Sequence, residues 1–160
     1  MTYADLLTQG AISFDGFSVK LFMGQAVPGQ YTRDLMQVSC LLDQFASLGK
    51  PLTLTIAAPS KSVSQLMTPA AGNDEPVDPN CGFWRKPWSP LVQSHWLEAV
   101  LKIALSKPFV ESVARHDLID HRDSELPLGG LVGQDQHPKG ALRRLIVFRK
   151  SLNQNGQLHA

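Results

Sequence analysis

The chain has 160 residues, 43% of them hydrophobic and 18% charged, with a formal net charge of +1. That length suits one domain with a substantial core, and near-neutrality removes the electrostatic case for nucleic acid or an anionic membrane as partner. No apolar run approaches the ~18 residues of a membrane span, and the opening MTYADLLTQG lacks the basic-then-apolar order of a signal peptide.

The first predicted strand is FSVKLFM, Phe17 to Met23, closed by Gly24 and a loop holding Pro28-Gly29. A helix over about 32–48 follows, with Leu35, Val38, Leu42 and Phe45 as its apolar face and Gly49 as its stop. Cys40 lies in that stripe and is expected as a buried free thiol. Neither it nor Cys81 has metal-type spacing or the density of a disulfide scaffold.

The second strand, LTLTIAA from Leu52 to Ala58, alternates β-branched and aliphatic residues and ends at Pro59. A loop rich in Ser, Pro, Gly and Asn then runs to about residue 88. Ser89-Pro90 reads as N-cap and first helical position of a helix reaching about Ser106, with Trp96, Val100 and Ile103 inward. Lys107-Pro108 ends it.

The third strand begins at Phe109 and stops near Ala114 in a loop crowded with His, Asp, Arg and Glu. A Gly129-Gly130 turn and a last helix, about 138–151, follow, with Leu142, Leu145 and Ile146 inward. Residues 152–160 read as a disordered tail.

Three strand-then-helix units argue for an α/β fold with parallel strands and right-handed crossovers. Eight such units close a barrel of typically ~250 residues, so residues 1–151 are expected to form part of one, with both sheet edges and one apolar face uncovered. In parallel α/β proteins chemistry sits at the C-terminal ends of the strands. The loop after the third strand therefore marks where a site belongs.

Several motifs in this order, GxxxKLFMG, LGKPLTLT, AAPS, GFWRKPWSP, SKPFVESV, DLID and GGLVGQDQHPKGALRRL, resemble the C-terminal portion of glycoside hydrolase family 10, the endo-1,4-β-xylanases. The likeness runs from about Phe14 to Arg149 and implies the last three βα units of a TIM (β/α)8-type barrel. Members of that family are retaining hydrolases with two carboxylates about 5–5.5 Å apart. The acid/base belongs to the fourth strand, outside the part this chain resembles. The nucleophile is a Glu in a Thr-Glu pair, and Thr55-Ile56 takes that place here. Isoleucine cannot form a glycosyl ester, so no catalytic residue is assigned and the chain alone is expected to be hydrolytically impaired.

The resemblance also sets Lys20 and Phe22 where the family has Gln and His. His116, preceded by Arg115, stands in place of a Trp that floors the sugar site, while Asp120 matches a family Asp. Together with Trp84 and Trp88, whose indole faces suit pyranose rings, the substrate-binding candidates are Lys20, Trp84, Trp88, Arg115, His116 and Asp120. Both indoles could instead anchor the long loop on the barrel rim.

The group His116, Asp117, Asp120, His121, Asp123 and Glu125 has metal-ligating side chains but matches no compact zinc spacing. A solvated loop, or one salt-bridged to Arg115 and Arg122, is the simpler expectation, and no metal or cofactor is assigned. The expected partners are an oligosaccharide or polysaccharide, and an N-terminal half-barrel or a second copy on the open strand edges. The alternative to an impaired xylan-type hydrolase is a non-catalytic carbohydrate-binding or assembly module.

Overall fold

The computed structural model describes residues 6–7, 9–24, 30–31, 33–60, 83–126 and 128–156. Pro28-Gly29, Thr32, Cys81, loop residues 61–82 and the tail beyond 156 lie outside them. The elements in chain order are β1 (Phe17–Phe22), α1 (Leu35–Ala46), β2 (Leu52–Ala57), β3 (Phe83–Trp84), β4 (Lys86–Pro87), α2 (Pro90–Leu105), β5 (Val110–Arg115) and α3 (Gly140–Gly156). β1, β2 and β5 form one parallel sheet in that order, and β3 and β4 make a small antiparallel hairpin within the long loop. This is a partial (β/α) barrel arrangement, as the sequence pattern implies.

Local chemistry sets the helix boundaries. The Asp34 carboxylate accepts from the Gln37 amide at 2.7 Å and caps α1, so the helix begins later than Thr32. Gly49 takes φ +63° just after it, a conformation with little steric cost only for glycine. The Ser89 hydroxyl caps α2 by accepting from the Val92 amide, with Pro90 in the first turn. The expected tail is shorter than the sequence suggests: α3 continues through residues 152–156 to Gly156.

Strand alternation divides the sheet into two faces. Leu21, Met23, Leu52, Leu54, Ile56 and Ala58 pack with Val38 and Leu42 of α1 and Trp96, Leu97 and Val100 of α2, forming the main core. Two expectations about helix faces fail at single residues. Cys40 is exposed, because the α1 positions turned to the core are Val38 and Leu42. Ile146 is 46% exposed, since the next residue on a helix is turned by about 100° and this carries it off the side on which Ala141, Leu142 and Leu145 pack.

The opposite face carries Ser18, Lys20 and Phe22 from β1, Thr53, Thr55 and Ala57 from β2, and Ser112, Ala114 and His116 from β5 and its end. An uncovered apolar face was the expectation; most of this one is hydroxylated or small, with Ser112 Oγ donating to Thr53 Oγ1 at 3.2 Å. Its apolar part is confined to the C-terminal end, where Phe22 and Ala57 are buried with Leu126 of the returning loop. A bulge between Leu52 and Thr53 shifts the β2–β5 register by one residue of β5.

Candidate functional site

Five polar side chains meet over the open face at the C-terminal strand ends. Lys20 extends from β1, and its Nζ donates to Glu125 Oε2 at 2.5 Å. His116, one residue past β5, sets Nε2 3.5 Å from the same carboxylate oxygen and Nδ1 2.9 Å from Asp117 Oδ2. Ser124 Oγ donates to Asp117 Oδ2. The Phe22 ring meets the imidazole edge-on at 4.8 Å between centroids, and Lys20 Nζ lies 5.5 Å from the Phe22 ring centre. Leu126, fully buried on Phe22 and Ala57, holds loop residues 124–126 against the sheet.

The electrostatics of this cluster follow from its pairings. The Lys20 ammonium, bonded to Glu125, keeps that carboxyl below its ordinary range, and His116 adds to the effect. The Ser124 hydroxyl, with contributions from His116 and Arg115, does the same for Asp117. Both carboxylates are therefore anionic at neutral pH. Glu125 is about half-exposed and Asp117 about a quarter, and the solvent that reaches them would also reach a ligand.

Two further cations hold the loop in place rather than facing the cluster. Arg115 donates from Nη1 to the Ile56 carbonyl at 2.8 Å and from Nη2 to the Gly129 carbonyl at 2.5 Å. Burial pushes its pKa down to about 10, with Asp117 opposing the shift. Lys139, just before α3, donates to Asp120 Oδ1 at 2.7 Å, to the Leu128 carbonyl at 3.0 Å and to Ser60 Oγ at 3.2 Å. Asp120 also accepts from the Gly130 amide at 2.9 Å. A Cβ on Gly130 would stand 2.6 Å from the Asp120 nitrogen, so the Gly-Gly turn is needed for the close approach of these two backbones.

Of the sequence candidates, only Lys20 and His116 come together in the cluster. Asp120 is buried in its ion pair with Lys139, and Arg115 is committed to backbone carbonyls. Trp88 is 6% exposed on the helix side, where its Nε1 donates to the Pro59 carbonyl at 2.8 Å and its ring packs on Trp96. Beside it, Gln93 Nε2 donates to the Ala58 carbonyl at 2.6 Å; these two side chains pin the end of β2. Trp84 is half-buried against the same core, with the Arg85 guanidinium 4.8 Å from its ring centre.

Ile56 requires a correction. It is 0% exposed and belongs to the helix-side core, so it does not face the barrel mouth. A shift of one residue exchanges the two faces of a strand. From β2 the mouth receives Thr55 and Ala57, neither of which carries a carboxylate. Glu125 and Asp117 are the acids that reach the site. The sequence marked both only as members of a charged loop, since nothing local reveals that Glu125 crosses to a lysine 105 residues earlier. Among the described residues, no three His, Cys, Asp or Glu side chains converge to hold a metal ion.

No protein-family model and no curated protein matches the sequence. Solved structures do match its fold. A Ruminococcus gnavus β-glucuronidase in complex with uronic deoxynojirimycin aligns over 86% of this chain and 22% of its own, at 17% identity and a TM-score of 0.54. A second structure of the Ruminococcus gnavus enzyme aligns over 85% of this chain and 22% of its own, at 15% identity and a TM-score of 0.54. A Faecalibacterium prausnitzii β-glucuronidase aligns over 81% of this chain and 20% of its own, at 14% identity and a TM-score of 0.51. The chain thus spans about a fifth of the length of each of these three structures. At these identities the likeness is one of fold alone: this chain has the architecture of part of a TIM (β/α)8-type barrel.

Proposed function

We propose that this chain is a glycoside-hydrolase-like barrel segment whose strand-end cluster binds saccharide hydroxyls without cleaving glycosidic bonds on its own. The observation that carries this reading is the juxtaposition of Lys20, Glu125, His116 and Asp117 over the polar face of the sheet. An ammonium, an imidazole and two ionised carboxylates offer both donors and acceptors, which is what a polyhydroxylated ligand requires. The fold supports it too, since barrel sites lie at this end of the strands.

The same electrostatics argue against hydrolysis. Retaining and inverting glycosidases each need one carboxyl protonated at working pH to release the leaving group. Here Lys20 and Ser124 hold both acids of the cluster in the ionised form, and β2 contributes no carboxylate. The impairment expected from Ile56 is therefore carried by Thr55, Ala57 and the two paired acids.

Calorimetric titration with a xylo-oligosaccharide and with a glucuronide distinguishes a neutral from an acidic ligand, and reducing-sugar release is measured on the same preparations. Saturable binding of either sugar, abolished by Lys20→Met or His116→Ala and unaccompanied by sugar release, is the expected result. Turnover that co-purifies with the protein, or no heat at millimolar ligand with the fold intact, refutes the reading.

A further inference from the structure

On the helix layer, away from the strand-end cluster, α2 and α3 enclose a second feature. Between Gly140 and Gly156 the chain carries four cations, Arg143, Arg144, Arg149 and Lys150, and no acid, although its net charge is only +1. A groove of about 610 Å³ runs between the helices, lined by Glu98, Lys102, Arg143, Arg144, Val147 and Phe148 among others. Glu98 is already shared by Lys102, at 2.6 Å, and Arg144. No ion pair to Arg143 or Lys150 is found among the described residues. Val147 stands 67% exposed in the groove wall, and Leu152, also lining it, 43%.

Helix geometry places Arg143, Arg144 and Lys150 three or four residues from Val147, so they surround it on the helix surface. The result is an apolar spot rimmed by guanidinium and ammonium groups beside a concave channel. A ridge of aliphatic side chains flanked by carboxylates is complementary in shape and charge, as when an amphipathic helix docks in a groove. A bilayer is a poorer fit. The exposed apolar residues Ile146, Val147 and Leu152 project at widely separated helical angles, whereas an interfacial helix gathers them on one face.

We propose that the α2–α3 groove is a docking surface for an acidic amphipathic helix of a partner protein. The apolar ridge of that helix sits against Val147, Phe148 and Leu152, and its carboxylates pair with Arg143 and Lys150. This surface lies on the helix layer and does not depend on the saccharide reading.

The probe is a fluorescein-labelled 16-residue peptide with Leu at i, i+4 spacing and Glu on the flanking positions, titrated by anisotropy at low ionic strength. Arg143→Glu and Val147→Asp are each expected to weaken binding at least tenfold, and Arg143→Gln by a smaller factor. Arg149→Glu makes the same charge change outside the groove and is expected to shift affinity less than twofold. Circular dichroism of each variant checks that the fold is kept. Equal loss with Arg149→Glu would reduce the effect to bulk charge and overturn the proposal, as would no measurable binding. Binding of phosphatidylserine-containing vesicles with the same dependence on Arg143 and Val147 would assign the surface to a membrane and overturn it as well.

Discussion

Replacing Ile56 and Thr55 separately with glutamate tests the assignment of the two sheet faces. Ile56 has no exposed surface and is surrounded by Leu54, Trp96 and their neighbours. Truncating such a side chain to alanine costs about 2–5 kcal/mol. Ile56→Glu keeps much of the volume but sets a carboxyl among hydrocarbons with no added partner. Full burial raises a carboxyl by up to ~3–5 pH units, and each unit is worth about 1.4 kcal/mol. Because the unfolded carboxyl titrates near ~4, the ionisation penalty at pH 8 is about 4–5 kcal/mol, comparable to the whole stability of a marginal domain, ~5–15 kcal/mol being the usual range.

Its pH dependence has a definite sign. Below about pH 4 the folded and unfolded states both hold the proton, and the penalty vanishes; as pH rises further only the unfolded state releases it, and stability falls. Thr55 lies on the open face, in register with Lys20. Thr55→Glu should change stability by less than ~1 kcal/mol, since a half-buried position on the open face next to a cation tolerates an acid. Urea unfolding followed by far-ultraviolet circular dichroism at about pH 4 and pH 8 measures both. A stably folded Ile56→Glu at pH 8, or a Thr55→Glu protein that unfolds, would show that the faces are reversed.

Three further outcomes are expected. Asp120→Ala strands the Lys139 ammonium and should cost about 3–5 kcal/mol, with the Asp120→Ala/Lys139→Met double variant losing less than the sum; additivity in urea unfolding would deny the coupling. Because Glu125 and Asp117 have lowered pKa values, the stability they contribute is present above their unfolded values near ~4 and is lost as pH falls through the folded ones. Amide exchange over residues 117–126, corrected for intrinsic rates, should therefore hold steady from about pH 8 to pH 5 and accelerate below about pH 4; steady protection at the lowest pH would contradict it. Gly140→Ala meets nothing within 4 Å at the start of α3 and should raise the melting temperature, consistent with a gain of ~0.5–1 kcal/mol. Gly130→Ala should lower it, and two shifts of the same sign would count against the turn geometry.

The parts of this structure that were legible in the sequence are those governed by local periodicity and capping. β1, β2 and β5 are short, rich in β-branched or aromatic residues and bounded by turn residues. Ser89-Pro90 marks the start of α2 to the residue. What stayed hidden depends on register and on distant pairing. The side chain of Ile56 points to the helices because its strand is set one position away from the alignment that the Thr-Glu motif suggests. Trp88 and Asp120 carry the right chemistry for a sugar site, yet a carbonyl at Pro59 and an ammonium at Lys139 claim them first. Glu125 enters the site only because Leu126 is buried beside it, and loop sequence alone gives no period from which to read that.

Heteronuclear NMR shift mapping during titration with the xylo-oligosaccharide and the glucuronide examines saccharide binding at the strand ends most directly. It reports position, whereas Trp88 and Trp96 are buried on the far side of the sheet from Lys20 and His116 and would respond weakly in fluorescence. Saturable shifts are expected at Lys20, Phe22, Thr55, Ala57, His116, Asp117, Ser124 and Glu125, and they should vanish in His116→Ala. Shifts confined to the Trp84–Trp88 hairpin, or a spectrum unchanged by millimolar sugar, would contradict a saccharide site at the strand ends.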